Sequence, residues 1–496
     1  MSSLTLILIL PLVFAVAMMI LPKNLKTLNL AHIVFNAIGS FAMLYCVKKV
    51  VLSGTFFAHD KFLFLDSIGA IFLSIIAITG FLVNLYATTY FKWEVEDGHL
   101  EVKDVKKYYC LSYIFIFTMT LSVVANNLAF MWSAIEATTL SSVFLVAIYK
   151  NKKSVESGYK YIVLCSIGLA FALYATIILY ADAHSVLKGD DAMLFTTVLA
   201  NSHLLSDNAL KLIFIFVLIG FGTKAGLVPT HTWLPDVHAQ GPAPTSALLS
   251  GILLKCAMLG LIRYYAIVGN GVGFVYVEEL MIVSGVITLF VAAFFLIRQH
   301  DVKRMFAYHS IAHMGVIAFG LGVGGIWGVA AALFHCVAHS FTKALAFCST
   351  GNIARIYGTK DMTKMGGMIR LAPVTTVLFG IAICSLVGVP GFAIFVSEFM
   401  IFKAASINES YLLMGIFALS LTIIFIADFS HFFLASFGEV KGEVKFNGEM
   451  KFKENLPLII LAILVIAFGI LNFDSFVTLL NESVKTITKQ PEAILL

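Results

Sequence analysis

The chain has 496 residues, 60% of them hydrophobic and only 12% charged, with a mean hydropathy of +0.96. Soluble domains hold roughly 45–50% apolar residues, so the composition excludes a soluble globular protein and describes one embedded in a bilayer. The formal charge of +5 says little about partners until the charges are placed, and the seven cysteines form no C-x-x-C pair that suggests a disulfide framework, an iron–sulfur centre or a zinc site.

Apolar runs of about 17 to 28 residues, long enough to cross a hydrocarbon core of roughly 30 Å, recur along the chain. They fall at 4–21, 27–47, 63–90, 108–124, 127–149, 157–181, 208–228, 243–268, 276–297, 303–322, 326–351, 372–404, 411–436 and 455–472. The fold class is therefore an all-α polytopic membrane protein of about fourteen transmembrane helices. The first run lacks a basic start and a small-residue cleavage site, so it reads as a span and not a signal peptide.

Numbered from the first, the odd loops carry about twenty basic residues, among them Lys23, Lys106, Lys150, Arg304, Arg355 and Lys453. The even loops and the C-terminal tail carry about six, Lys48, Lys49, Lys61, Lys188, Lys485 and Lys489, and the longest even loop is acidic through Asp182, Asp190, Asp191 and Asp207. The positive-inside rule then sets both termini outside the cytoplasm, as an even number of spans also requires. The longest polar stretches, FKWEVEDGHLEVKDVKK and GEVKGEVKFNGEMKFKEN, are too short to bury a core and read as cytoplasmic linkers or docking surfaces.

Two spans are interrupted. In GFGTKAGLVPTHTWLPDVH the break falls around Gly226 to Pro229, and in ICSLVGVPGFAIFVSEF around Gly388 to Gly391, five spans later. Paired Gly/Pro interruptions in corresponding halves predict an inverted-repeat transporter with a broken helix in each half. The expected organisation is a three-helix segment at 1–107, a first repeat at 108–268, a second at 276–436, and a loop, last span and tail at 437–496.

An ionised side chain at mid-membrane costs about 2.5–3.5 kcal/mol even on lenient insertion scales, and this chain places several there. Glu136 lies on the fifth span, Lys224 on the seventh, Lys255 on the eighth, Lys343 on the eleventh and Glu398 on the twelfth. Glu136 and Lys224 have opposite charges; at about 4 Å and an effective dielectric near 20 their attraction is roughly 4 kcal/mol, halved at twice the distance. Displacing the glutamate would thus make the lysine release its proton, whereas a static ion pair would only fix helix packing.

His335, His339 and Lys343 share one face of the eleventh span at i, i+4 and i+8, and His309 and His313 repeat that spacing on the tenth. Such a stripe suits a proton relay; a two-histidine metal site and plain interhelical hydrogen bonding are the competing readings. His231, Asp236 and His238 follow the first break, either carrying protons from the cytoplasmic side or capping the re-entry into span eight. Asp428 and His431 on the thirteenth span read as an exit route or as residues near the membrane surface. Gly320, Gly322 and Gly325 match G-x-G-x-x-G but end a span, so no nucleotide site follows.

The stretches GTKAGLVPTHTWLPDVHAQGPAPTSALLSGILLK, RMFAYHSIAHMG, AHSFTKALAF and VPGFAIFVSEFM resemble the antiporter-like subunits of the NADH:quinone oxidoreductase superfamily, over roughly spans three to thirteen. The resemblance implies fourteen helices in two inverted five-helix repeats, with Glu136 and Lys224 as the pumping pair, Lys255 in the central connection, His339 and Lys343 on span eleven and Glu398 at the second break. Glutamate at that last position resembles the middle pump of the family more than the distal one, whose long lateral helix the chain is expected to lack. MWSAIEATTLSS and GYKYIVLCSIGLAFAL further resemble component F of energy-converting membrane [NiFe]-hydrogenases and formate hydrogenlyases.

The resemblance implies a non-redox, proton-translocating subunit in a prokaryotic cytoplasmic membrane. Its implied partners are other antiporter-like membrane subunits and a cytoplasmic electron-transfer or hydrogenase arm carrying nickel–iron and iron–sulfur centres, or flavin, with any quinone elsewhere in the complex. No cofactor, metal or nucleic acid is expected on this chain. The alternatives are a subunit of a multi-subunit sodium/proton antiporter and a membrane scaffold that no longer conducts.

Overall fold

The computed structural model describes residues 2–187, 189–442, 444–446 and 448–490; Lys188 and the side chain of Asp190, both counted above, fall outside that description. The helices are, in chain order, α1 (Ser3–Ile20), α2 (Leu25–Ser53), α3 (Ser67–Glu96), α4 (Val102–Val124), α5 (Leu128–Val146), α6 (Lys152–Val186), α7 (Phe195–Ala200), α8 (Asp207–Ala225), α9 (Trp233–Gln240), α10 (Ala243–Leu248), α11 (Leu254–Val272), α12 (Phe274–Ile297), α13 (Val302–Val323), α14 (Gly325–Tyr357), α15 (Met368–Leu371), α16 (Pro373–Leu386), α17 (Ala393–Ile407), α18 (Tyr411–Ser436), α19 (Phe452–Ile470) and α20 (Asp474–Thr488).

Among the described residues thirteen helical segments are long and apolar enough to cross a membrane. They correspond to the expected spans except the twelfth, which the structure divides into α16 and α17. Polar side chains fix the ends: Asn127, Asn151 and Asp301 accept from amides in the first turns of α5, α6 and α13, satisfying donors that a helix start leaves open.

Two details differ from the sequence reading. The third span starts at Ser67 and not at 63, because Leu63–Leu65 pairs antiparallel with Phe56–Ala58. Asp66 then caps α3 by accepting from Gly69 N at 2.8 Å. The tail also forms α20, which buries Leu479, Leu480, Val484 and Ile487 against the bundle and leaves its charged face outward.

Both predicted interruptions are present. Gly226 ends α8 in the left-handed region at φ 85, and α9 begins only after a short turn at Thr230–Thr232. Residues 387–392 separate α16 from α17, with Gly388 at φ +70 and Gly391 at φ +93. Glycine adopts such backbone without the Cβ penalty.

Burial identifies the centre of the bundle. The apolar windows of Ala243–Val272, α13 and α14 are wholly buried, whereas α1, α2, α6, α12, α18 and α19 leave most of theirs outward. The three innermost elements are those that carry Lys255, the four stripe histidines and Lys343. Polar chemistry thus occupies the middle of an apolar bundle, where unpaired charge is most costly.

Candidate functional site

The site consists of two buried polar groups. In the first, α5 and α8 bring Glu136 and Lys224 to neighbouring positions without an ion pair: no carboxylate lies within 4.0 Å of Lys224 Nζ among the described residues. Lys224 Nζ instead donates to Thr139 Oγ1 at 2.7 Å and Tyr161 OH at 2.8 Å, and lies 4.6 Å from the Tyr161 ring centroid. Glu136 Oε1 accepts from Ser166 Oγ at 2.6 Å, and its other oxygen is buried without a partner in the protein. Thr139 lies three residues beyond Glu136 on α5, so the lysine is held by the carboxylate's helical neighbour.

The second group is larger. Five residues around Leu249–Leu253 adopt a π-helical turn between α10 and α11. Lys255 follows that turn, and its Nζ donates to the Ser250 carbonyl at 2.6 Å. The same ammonium is hydrogen-bonded to His339 Nδ1. From His339 the ring of His313 is 4.9 Å away, His313 Nδ1 is bonded to His335 Nε2 at 3.0 Å, and His335 Nδ1 to Ser397 Oγ at 2.8 Å. Ser397 precedes Glu398, a buried carboxylate pressed against Gly388 in the second helix break.

Two branches leave this string. His309, its ring 5.3 Å from His313, is hydrogen-bonded to Asp428 on α18. Lys343 Nζ donates to the Phe306 carbonyl at 2.8 Å. Among the described residues no three His, Cys, Asp or Glu side chains converge as a metal requires.

Among the described residues, nine of the seventeen buried side-chain atoms that lack a hydrogen-bond partner in the protein belong to Glu136, His231, His238, His309, His313, His339, Glu398 and Asp428. Folded proteins leave few such atoms. Their concentration here marks groups able to change partners, the condition for passing a proton along a row of imidazoles.

The remaining predicted residues separate by environment. His238 is fully buried and stacked on Phe347, with centroids 4.7 Å apart and both ring nitrogens unbonded. His231 is buried in the short turn, apart from the string. Asp236 is not on a buried path; it pairs with Lys160 at 3.2 Å and Arg304 at 3.1 Å and ties α9 to its neighbours. Asp428 and His431 stand in the C-terminal part of α18. They lie 8 and 5 residues before the end of α18, about 12 and 8 Å at 1.5 Å per residue, from the basic loop that the charge rule assigns to the cytoplasm. His431 Nε2 is bonded to the Leu296 carbonyl.

Sequence reasoning missed Thr139, Tyr161, Ser166 and Ser397, which hold the ionisable groups. Hydroxyls carry no spacing signal of their own, although all four stand in stretches already singled out. Among the described residues no hydrogen bond joins the Lys224 group to the Lys255 group. Cys256, next to Lys255, is within electrostatic reach of both ammonium groups.

Buried lysines and imidazoles at the centre of an apolar helical bundle define a polytopic membrane subunit of the antiporter-like class. Residues 125–424 match the family described as NADH:quinone oxidoreductase/Mrp antiporter, transmembrane; the chain belongs to that family. It is similar to a hydrogenase-4 component F homolog of Methylacidiphilum infernorum, 33% identical over 82% of this chain and 85% of the relative. It spans about half the length of several other curated relatives it matches.

Solved structures share the fold. A chain of the archaeal membrane-bound sulfane sulfur reductase superposes with a TM-score of 0.84 at 21% identity, covering 98% of both chains. A chain of respiratory complex I from Thermus thermophilus gives 0.83 at 20% identity, covering 98% of this chain and 99% of that one.

Proposed function

We propose that this chain translocates protons within a multi-subunit, membrane-bound oxidoreductase of the hydrogenase type, driven by electron transfer in partner subunits. The buried string from Lys255 through His339, His313, His335 and Ser397 to Glu398 carries this reading. In this reading Lys224 is loaded when Glu136 approaches it and discharges when Glu136 withdraws; at an effective dielectric near 20, moving such a pair from about 4 to 8 Å removes roughly 2 kcal/mol of attraction. The proton then passes to Lys255 and the imidazoles, with Lys343 and Glu398 as later acceptors, and leaves at the outer face.

The same reading takes residues 108–268 and 276–436 as inverted repeats, each with one of the two breaks, and sets both termini outside the cytoplasm of a prokaryotic inner membrane. Nickel–iron and iron–sulfur centres, or flavin, belong to a partner arm, as the similarity to a hydrogenase component supports. Other antiporter-like subunits would flank the outward faces of the bundle, and any quinone would bind elsewhere.

The test uses the intact complex in sealed vesicles, with electron transfer and proton uptake measured together. Lys224→Met should leave assembly intact and abolish proton uptake; unchanged uptake rejects the proposal. Sodium uptake in place of proton uptake would favour the antiporter alternative, which the family description also covers.

A further inference from the structure

A cavity of about 730 Å³ opens on the face bearing the basic loops, between the ends of α3 and α14, the α9–α10 junction and the α18–α19 loop. Its lining sets four cationic groups, Lys303, Arg355, Lys360 and Lys445, against two carboxylates, Glu94 and Asp97, and so carries an excess of two positive charges. The positive-inside rule accounts for loop cations that face water on this side, but not for a lysine as buried as Lys303, which is 2% exposed.

Lys303 and Lys360 lie within electrostatic reach of each other. Lys303 Nζ donates to the Gly241 carbonyl at 2.7 Å and Lys360 Nζ to the Ala239 carbonyl at 2.7 Å, which leaves each ammonium with donors to spare. Neither has a carboxylate within 4.0 Å among the described residues. Asp301, also within reach, accepts from the amides of Lys303 and Arg304, and Glu94 lies 3.2 Å from His99.

Arg355 is held by aromatic rings: its guanidinium carbon lies 4.5 Å from the Trp93 ring centroid and 5.2 Å from that of Phe446. Its Nε and Nη1 are buried and make no hydrogen bond among the described residues. Asp97 at 3.7 Å and Glu96 at 3.9 Å stand beyond hydrogen-bond length, and both acids are about half exposed, where ion pairs contribute little. A guanidinium presents a planar fork of donors that fits paired oxygens of a carboxylate or a phosphate. Lys445 lies at the rim, fixed by the fold: its amide donates to the Ile356 carbonyl at 2.9 Å, and its methylenes lie against Gly358, where a Cβ would meet them at 2.5 Å.

We propose that this cavity binds an organic phosphate, with phosphoryl oxygens paired to the Arg355 fork and their charge balanced by Lys303, Lys360 and Lys445. A lone carboxylate would satisfy the fork and leave the ammonium groups unbalanced; a phosphate dianion matches both the fork and the excess charge. The volume is in the range of pockets that enclose small ligands and exceeds what a bare phosphate fills, which leaves room for the organic part. Two sources share this chemistry, a soluble phosphate ester and the headgroup of an anionic phospholipid. The site does not depend on the proton-transfer reading.

The experiment places a thiol in the lining with Thr359→Cys in the intact complex, held in phosphatidylcholine discs with or without phosphatidylglycerol. The native cysteines are buried or half-buried and supply the background. Glycerol 3-phosphate should slow labelling by N-ethylmaleimide several-fold, whereas glycerol, or sulfate at equal ionic strength, should not. Arg355→Gln should raise the half-protecting concentration by about tenfold or more. Lys445→Glu, on the exposed rim, should raise it several-fold and carries the test if the arginine variant fails to assemble.

Fast labelling in both kinds of disc, slowed by the ester, assigns the site to a soluble phosphate. Slow labelling only in the discs with phosphatidylglycerol, made fast by Arg355→Gln, assigns it to the headgroup. Labelling that the ester leaves unchanged in both kinds of disc overturns the proposal, as does equal protection by sulfate or by glycerol. Protection that persists undiminished in both charge variants overturns it as well.

Discussion

Glu136 on α5 and Lys224 on α8 bind different partners: the lysine donates to Thr139 and Tyr161, and the glutamate accepts from Ser166. The structure therefore holds the separated arrangement of a pair expected to work by moving together and apart. A lysine held by two neutral hydroxyls has less to keep its charge than one beside a carboxylate. Ser166→Ala should free Glu136 to approach Lys224, and Tyr161→Phe should remove one of the two hydroxyls that compete for the ammonium.

Each change alters one hydrogen bond to a charged group, worth about 1.5–3 kcal/mol. Both should trap the proton on Lys224 and slow proton uptake by about 10- to 100-fold while electron transfer and subunit composition persist. Proton uptake assayed beside blue-native gels distinguishes this from misassembly.

Lys255 and His339 are joined directly, and the Ser250 carbonyl gives the lysine a second anchor. Replacing either partner leaves the other buried and poorly satisfied. Lys255→Met, His339→Ala and the double variant should therefore be strongly non-additive, with a coupling energy of about 1–3 kcal/mol in proton-uptake rate. Additive effects would show that the contact does not act as a unit.

The spans were legible because bilayer thickness imposes a length on apolar runs, and the breaks because Gly226, Pro229, Gly388 and Gly391 interrupt them. Lys255, His335, His339 and Lys343 were legible because an intramembrane charge or a helical stripe is conspicuous against Leu, Phe and Ala. The π-helical turn before Lys255 was not, since LSGIL has no signature of its own. α20 had one, in the apolar positions 479, 480, 484 and 487, but its single turns of hydrophobicity are too few to read as a span. Lys303 looked like an ordinary loop cation; only packing shows it buried beneath Gly241. The ion pairs of Asp236 were not legible for the converse reason, because its partners Lys160 and Arg304 lie 76 and 68 positions away in sequence.

Asp66 and Arg263, 197 residues apart in the chain, form a bidentate buried pair, with the guanidinium between the rings of Phe64 and Phe195. The pair ties the middle of α11 to the start of α3. Arg263→Met should cost about 3–5 kcal/mol by leaving Asp66 unpaired, lowering the temperature of heat aggregation in detergent. Adding Asp66→Asn should recover part of the loss, and protein that survives should pump at the ordinary rate.

Gly388 tests whether the second break is shaped around Glu398. A Cβ at this position would come 2.0 Å from Glu398 Oε2, and the residue's φ of +70 already disfavours an L side chain. Gly388→Ala must therefore either move the carboxylate or distort the segment between α16 and α17. Strained backbone of this kind costs about 1–3 kcal/mol, and the displaced Glu398 should lose its place beside Ser397 at the end of the imidazole string. Proton uptake should fall at least as far as in Glu398→Gln, and combining the two changes should add little to either. Gly415, in α18, has open space around its Cβ position and no positive φ, so Gly415→Ala should leave uptake unchanged and stabilise the helix by up to about 1 kcal/mol. Equal behaviour of the two alanine variants would mean that the break does not position Glu398.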